Sequence, residues 1–118
     1  MYLPLIEYSI QKIKEEFNKS GFNYRMVKRV GDIAIFKQSL INGSYFCYEV
    51  IAIKLSEPHP VWNKDCEYDL IECYPSNSEW GKNGFTCMDI GAAEKRLEEL
   101  LSRVELKRLS IYEGYQIT

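Results

Sequence analysis

The stretch Gly31–Gly43, "GDIAIFKQSLING", decides the fold because it holds a strand between two tight-turn signals. Gly31-Asp32 and Asn42-Gly43 are residue pairs that tolerate positive φ, as two-residue turns between antiparallel strands require. The sequence after the second turn is long and rich in aromatic and β-branched residues, which favour strands. We therefore predict three consecutive antiparallel strands at Tyr24–Val30, Ile33–Ile41 and Ser44–Leu55.

The register set by these turns divides the side chains of the predicted sheet between two faces. The more apolar face, which we assign to the core, carries Tyr24, Met26, Val30, Ile33, Ile35, Phe46, Tyr48, Val50 and Ala52. The opposite face carries Arg25, Val27, Arg29, Phe36, Gln38, Glu49, Ile51 and Ile53. A β-bulge would reverse the assignment.

Residues 4–19, ahead of the meander, have the apolar spacing of an amphipathic helix. Pro4 suits a first helical position because its missing N–H would be unpaired there anyway. The apolar repeat consists of Ile6, Ile10, Ile13 and Phe17. We predict an N-terminal helix over this segment.

The second half of the chain alternates loop, strand and helix signals. Ser56–Asp65 contains two prolines and is predicted to be a loop, and Cys66–Tyr74 is predicted to be a fourth strand. Asp89 is a good N-cap for a helix over Ile90–Arg103. The buried stripe of that helix would be Ala93, Leu97, Leu100 and Leu101. The tail, residues 104–118, is either a short edge strand or a mobile end.

The predicted order is α-β-β-β-(β)-α. It favours an α+β fold in which an antiparallel meander of three to four strands carries an N-terminal and a C-terminal helix on one face. Hydrophobic residues make up 46% and charged residues 27% of the 118 residues, which is typical of a folded chain. The length fits a single compact domain, residues 1–118.

Charge and cysteine content restrict the compartment and the partners. The net charge of −2 argues against a generally basic nucleic-acid coat and against an acidic DNA mimic. The N-terminus lacks the features of a signal peptide, and no apolar run approaches the length of a membrane span. The four cysteines are irregularly spaced, which favours reduced thiols. We expect a cytoplasmic protein that has no membrane contact.

Few residues suggest catalysis. His59, the one histidine, lies between two prolines and is interpreted as an exposed loop histidine. Glu67 and Asp69 would share a strand face, which we interpret as solvated. The hydrolase, metalloprotease and phosphate-loop motifs are absent from the sequence. We therefore predict no catalytic residue, no cofactor and no metal ligand, and expect the protein not to be an enzyme.

The polar loop Glu72–Phe85, "ECYPSNSEWGKNGF", is unusually aromatic and has two interpretations. In the first, Trp80 and Phe85 form a lid over one end of the sheet. In the second, the loop binds a partner protein, since aromatic residues flanked by charges are typical of interface hot spots. The protein-binding residues would then be Tyr74 and Trp80 as anchors and Glu79 and Lys82 on the rim.

Nucleic-acid binding is the alternative function. The predicted α-β-β-β-α order resembles that of the double-stranded RNA-binding domain, although the run of lysines that opens the second helix of that domain is missing. The candidate nucleic-acid-binding residues are Arg25, Arg29, Lys82, Lys95 and Arg96.

Residues 30–100 resemble a small protein family of bacteriophage genomes and prophages. Its members share an alanine-aromatic-x-Gln strand, a Tyr-Glu-Val strand and a Tyr-Pro loop that ends in aromatic-Gly. The matching segments are "IAIFKQS", "YEVIAIK", "YPSNSEWGKNGFTC" and "AEKRLEEL". The family has no assigned enzymatic activity, so the resemblance implies no catalytic residue. It implies a small phage-encoded accessory protein that acts in the host bacterial cytoplasm. Because phage accessory proteins of this size often bind a host protein, we expect the chain to bind a host or phage protein.

Overall fold

The computed structural model describes the backbone of residues 8–117 and the side chains of residues 8–104. It contains two sheets and a C-terminal helix. The elements in chain order are β1 (Ile10–Gln11), β2 (Glu16–Lys19), β3 (Phe22–Val30), β4 (Ile33–Leu40), β5 (Phe46–Ala52), β6 (Lys54–Ser56), β7 (Leu70–Cys73), a 3-10 turn (Asn77–Glu79), β8 (Gly84–Cys87) and α1 (Ile90–Ile117). The α+β class is therefore confirmed, whereas the predicted arrangement of helices and strands is not.

The main sheet is an antiparallel sheet with the strand order β2-β3-β4-β5-β8. Both predicted hairpins are present: Val30 pairs with Ile33 across the first turn, and Ser39 pairs with Phe46 across the second. The second turn spans more than two residues, from Leu40 to Phe46, and within it Asn42 Oδ1 accepts hydrogen bonds from the backbone N–H and the hydroxyl of Ser44, at 3.0 and 2.7 Å. Widening it equally on both strands leaves the predicted register of β4 and β5 unchanged.

A β-bulge at Val27 corrects the predicted face assignment. The register of β3 against β4 shifts between Met26 and Lys28. Tyr24 and Met26 therefore lie on the same face as Phe36, opposite to the face of Ile35. As expected for a bulge, the predicted face is reversed for the part of β3 that precedes Val27, which includes Tyr24 and Met26.

Helix α1 covers one face of the main sheet, which we call the helix-covered face. Asp89 caps the helix, since its Oδ1 accepts a hydrogen bond from the Ala92 backbone N–H at 2.8 Å. The stripe of α1 packs on aliphatic strand residues as predicted, although Leu101 is only partly buried. The buried residues of this cluster are Ile33, Ile35, Val50, Ala93, Leu97 and Leu100. The helix continues to Ile117, so residues 104–117 are helical and do not form the short edge strand that was one of the two predicted alternatives; Thr118 lies outside the described residues.

The predicted N-terminal helix is wrong for the described part of residues 4–19; residues 4–7 lie outside that part. Residues 8–19 contain the short strands β1 and β2 instead. Strand β2 pairs with β3, where Phe17 lies opposite Tyr24 and the two rings stack at 4.9 Å. Residues 16–19 therefore pair with the edge of β3 as a strand, because the hydrogen bonds and contacts of this pairing outweigh a weak local preference for helix.

The face opposite α1 is the loop-covered face. It packs against Ile13, Phe17, Tyr74 and Trp80 rather than against a second helix. The predicted third strand divides after Ala52, so that β6 joins β7 and β1 in a separate small sheet. The predicted fourth strand is likewise shortened to β7 and belongs to that small sheet.

An ion pair joins the two sheets. The Arg29 guanidinium donates to both oxygens of Glu72, at 2.8 and 2.6 Å, and the Glu72 side chain is only 7% exposed. Glu72 Oε1 also accepts a hydrogen bond from the Ile13 backbone N–H. These contacts hold the N-terminal segment against the loop-covered face and so position the site described next.

Candidate functional site

A cavity of about 400 Å³ opens on the loop-covered face, between edge strand β2 and the segment that follows β7. We call it the Glu49 pocket. Gln38 and Glu49 of the main sheet line it, and Lys19 contributes from β2. Its aromatic lining consists of Phe17, Tyr24, Tyr74 and Trp80. The volume falls within the range of small-ligand pockets.

Glu49 is a charged residue in the middle of a buried strand, and only 8% of it is exposed. Its Oε1 accepts a hydrogen bond from the Tyr74 hydroxyl at 2.5 Å. Among the described residues, no side chain or backbone amide donates to the other oxygen, Oε2. Burial raises the pKa of Glu49, while the Tyr74 hydrogen bond and the charge of Lys19 oppose the increase.

Tyr74 occupies the centre of an aromatic cluster. Its ring contacts Phe17, Tyr24 and Phe36 edge to face, at centroid distances of 5.9, 5.8 and 5.4 Å. Burial, followed by the neighbouring Glu49 carboxylate, strongly raises the pKa of the Tyr74 hydroxyl. The hydroxyl therefore stays protonated and acts as a fixed donor to Glu49.

A second polar chain crosses the same face. The Cys47 thiol donates to Gln38 Oε1 at 3.0 Å, and Gln38 Nε2 donates to the Tyr24 hydroxyl at 2.8 Å. Burial raises the pKa of Cys47, so it is a thiol rather than a reactive thiolate. Since the Tyr24 oxygen accepts from Gln38, its own proton remains for another acceptor.

The 3-10 turn that carries the pocket rim is fixed by Glu79. Glu79 Oε2 accepts hydrogen bonds from the backbone N–H and the hydroxyl of Ser76, at 2.8 and 3.1 Å, and Glu79 pairs with Lys54 at 3.1 Å. The Ser76 backbone N–H, followed by Lys54, lowers the pKa of Glu79 to about 2. Glu79 thus shapes the loop, whereas Lys82 is exposed.

Trp80 is a wall of the pocket rather than a free anchor. Its indole N–H donates to the Thr86 hydroxyl at 2.9 Å, and its ring lies 6.3 Å from that of Tyr74 at an angle of 18°. The ring also covers Gly84, where an added Cβ would lie 2.4 Å from it. Only glycine fits at position 84 beneath this tryptophan, so the loop and β8 are closely packed.

The candidate nucleic-acid-binding residues do not share one surface. The Val27 bulge places Arg25 and Arg29 on opposite faces of β3, and Arg29 is engaged with Glu72. Arg96 lies over the Phe85 ring at 4.4 Å and pairs with Glu99, whereas Lys95 is exposed. The N-terminal helix that suggested the RNA-binding order is not formed by the described residues.

Sequence reasoning overlooked Glu49 and Trp62. Glu49 is a lone carboxylate inside the apolar strand segment "YEVIAI", and this pattern could have indicated a buried charge. Trp62 is 82% exposed and stacks on His59 at 4.2 Å; His59 Nδ1 accepts from the Val61 and Trp62 backbone N–H groups. The exposed His59 was expected, but its role in ordering this turn was not.

The other sequence expectations concern metals, thiols and membranes. All four cysteines are free thiols. Within the described part of the chain, no cluster of three or more His, Cys, Asp or Glu side chains could hold a metal ion. Of the described residues, none belongs to a helix that is both long enough and apolar enough to span a membrane.

Together, the fold and the pocket define a small α+β protein with an aromatic cavity beside a buried carboxylate. Comparison with protein-family models, curated proteins and solved structures finds no match.

Proposed function

We propose that this chain is a non-catalytic, phage-encoded accessory protein that binds a host or phage protein in the bacterial cytoplasm. The observation that carries the binding proposal is the open Glu49 pocket, into which a largely buried residue, Glu49, presents a carboxylate oxygen that receives no donor from the described residues. The phage and cytoplasmic context rests on the sequence resemblance in residues 30–100.

A protein partner suits the lining of the pocket. Aromatic side chains around a cavity that partly excludes water are typical of interface hot spots, where one side chain of the partner fills the cavity. Trp80 and Tyr74 are rigid walls, because each is held by a hydrogen bond to a neighbouring strand. A preformed pocket loses little conformational entropy when a partner binds.

Two contacts support a non-catalytic role. The Cys47 thiol donates to Gln38 and its pKa is raised, which disfavours the thiolate that a nucleophile requires. His59 uses Nδ1 to order its own turn. Glu49 is therefore proposed as a recognition group.

The test is affinity purification of the tagged protein from bacterial lysate, with nuclease, read by mass spectrometry. Asn77 lines the pocket and is exposed, so Asn77→Trp should block the opening. Ser78→Trp adds the same side chain at the exposed neighbouring position and is the matched control. We expect a partner that is retained by Ser78→Trp and lost with Asn77→Trp, both variants melting near the wild-type temperature.

Two results would contradict the proposal. If every captured protein disappears with nuclease, the nucleic-acid alternative gains support, and Lys95 and Arg96 become the next residues to change. If a nuclease-resistant partner binds Asn77→Trp as well as wild type, the Glu49 pocket is not its binding site.

A further inference from the structure

We infer that the Glu49 pocket receives an ammonium group, in the form of a lysine side chain of the bound protein. This inference rests on the proposed function, because it specifies which side chain of the partner enters the pocket.

The first argument is the incomplete coordination of Glu49. An ionised carboxylate can accept about four hydrogen bonds. Glu49 accepts one, from Tyr74, and no described residue donates to Oε2. Oε2 is accessible from the pocket rather than sealed in the core, since no inaccessible side-chain oxygen among the described residues lacks a hydrogen-bond partner. A cation that enters the pocket can therefore donate a charge-assisted hydrogen bond to it. The free oxygen therefore selects for a positively charged hydrogen-bond donor.

The second argument is the aromatic lining. The face of an aromatic ring carries partial negative charge and attracts cations within about 6 Å. Four of the residues that line the pocket are aromatic: Phe17, Tyr24, Tyr74 and Trp80. Aromatic walls beside a carboxylate suit an ammonium group with an aliphatic stem, which is the structure of a lysine side chain.

The third argument distinguishes lysine from arginine. A guanidinium binds best to a carboxylate when it donates to both oxygens at once. At Glu49 the Tyr74 hydroxyl already occupies Oε1 at 2.5 Å. An ammonium is a compact point charge that needs only Oε2, so it fits the remaining acceptor better.

Lys19 is the present neighbour of the carboxylate. It lines the pocket, is exposed, and has no carboxylate partner within 4.0 Å among the described residues. Its charge acts on Glu49 through space without a direct contact. An incoming ammonium competes with Lys19, whereas an anion would be attracted by it. The effect of removing Lys19 therefore reports the sign of the ligand charge.

The experiment titrates n-butylammonium, a mimic of the lysine side chain, into the protein and follows the indole N–H signal of Trp80 by NMR. The comparison probes are n-butylguanidinium, butyrate and butanol. We expect saturable binding of n-butylammonium with a Kd of roughly 1–10 mM, as for a fragment of this size. We expect each comparison probe to bind several-fold more weakly.

Two variants test the assignment to Glu49. Glu49→Gln keeps the shape and the acceptor for Tyr74, and it should weaken n-butylammonium binding about tenfold, while its melting curve shows that it folds. Lys19→Gln should strengthen the same binding by a few-fold. Absence of saturable n-butylammonium binding, or equal binding to Glu49→Gln, would overturn the inference. Tighter binding of butyrate that Lys19→Gln weakens would also overturn it.

The lysate experiment separates this inference from the proposed function. If Asn77→Trp abolishes capture of the partner and Glu49→Gln leaves it unchanged, the ammonium inference fails and protein binding stands. If Glu49→Gln lowers both the capture of the partner and the binding of n-butylammonium, the ammonium inference and the proposed protein binding are both supported. If wild type captures no nuclease-resistant protein, the proposed function fails, whatever the small probes show.

Discussion

The two faces of the main sheet are buried by different chemistry. The buried residues of the helix-covered face are aliphatic: Ile33, Ile35 and Val50 are at most 2% exposed and pack on α1, with Tyr48 and Phe85 only partly buried beside them. The loop-covered face carries aromatic rings, two polar chains and a buried carboxylate. The same strands, β4 and β5, supply both faces through alternate residues. The difference therefore lies in what covers each face.

We interpret this difference between the two faces as a division between stability and the proposed recognition of a partner. A buried ion pair or carboxylate seldom stabilises a fold more than an apolar residue of similar size would. We therefore expect Glu49 to stabilise the loop-covered face less than an apolar residue of similar size would, although apolar residues such as Phe36 and Ile51 are fully buried there too. We interpret Glu49 as a residue whose presence reflects binding, and the following predictions test this contrast.

The largest effect is expected on the helix-covered face. Leu97 is 2% exposed, and Leu97→Ala leaves a cavity between α1 and the sheet. We expect the free energy of unfolding to fall by about 2–5 kcal/mol in urea titrations. Leu101→Ala, at a partly buried position on the same helix, is the control and should lose clearly less. Equal losses would show that α1 does not pack as described.

A smaller loss is expected where the two sheets join. Arg29→Met keeps much of the stem and leaves Glu72 without its counter-ion, so unfolding at neutral pH should become about 2–3 kcal/mol easier. Arg29 lowers the pKa of Glu72, and this pairing stabilises the fold above the unfolded pKa and is lost as the pH falls. The two stability curves should therefore converge in acid. A gap that stays constant with pH would contradict the ion-pair explanation.

Replacement of Glu49 is expected to raise the free energy of unfolding, whereas the two preceding substitutions lower it. Burial raises its pKa in the folded state, so the stabilising contribution is present below the unfolded pKa and is lost as the pH rises through the folded pKa. Glu49→Gln should match wild type near pH 3–4. It should be more stable by about 1 kcal/mol at neutral pH. Urea titrations across this pH range measure the difference, and a less stable variant at neutral pH would refute the assignment of Glu49 as a destabilising group.

The smallest effect is expected at the exposed turn. Trp62→Ala removes a large aromatic that is 82% exposed, so the free energy of unfolding should change by less than about 0.5 kcal/mol. His59→Ala is the informative companion, because it removes the acceptor of the Val61 and Trp62 backbone N–H groups. Thermal unfolding of both variants checks the prediction. A large loss for Trp62→Ala would mean that the ring packs against the fold.

Local signals predicted the elements that depend on a few neighbouring residues. The hairpins follow from residues that suit tight turns, and Gly31 and Gly43 do have positive φ, at 59° and 78°. The start of α1 follows from the side chain of Asp89, which caps it. Each turn and the helix cap depend on residues within four positions of one another along the chain, so they can be predicted from the sequence.

Features that depend on distant partners were predicted wrongly or not at all. The spacing of Ile13 and Phe17 suits a helix, yet both pack against the sheet in an extended segment. No local signal marks the bulge at Val27, which changes the face of Tyr24. The pocket combines residues of β2, the main sheet and the segment after β7, so only its aromatic loop was foreseen.

By itself, the amino-acid sequence determined the hairpin register of β4 and β5, the beginning of α1 and the aromatic character of the segment after β7. The physical reason is that turns, caps and side-chain composition act over short distances along the chain. The tertiary structure alone decided that residues 8–19 contain the strands β1 and β2 and that both faces of the sheet are covered. It also decided that Glu49 is largely buried and that its Oε2 receives no donor from the residues the structure describes, because burial and pairing depend on which distant segments pack together.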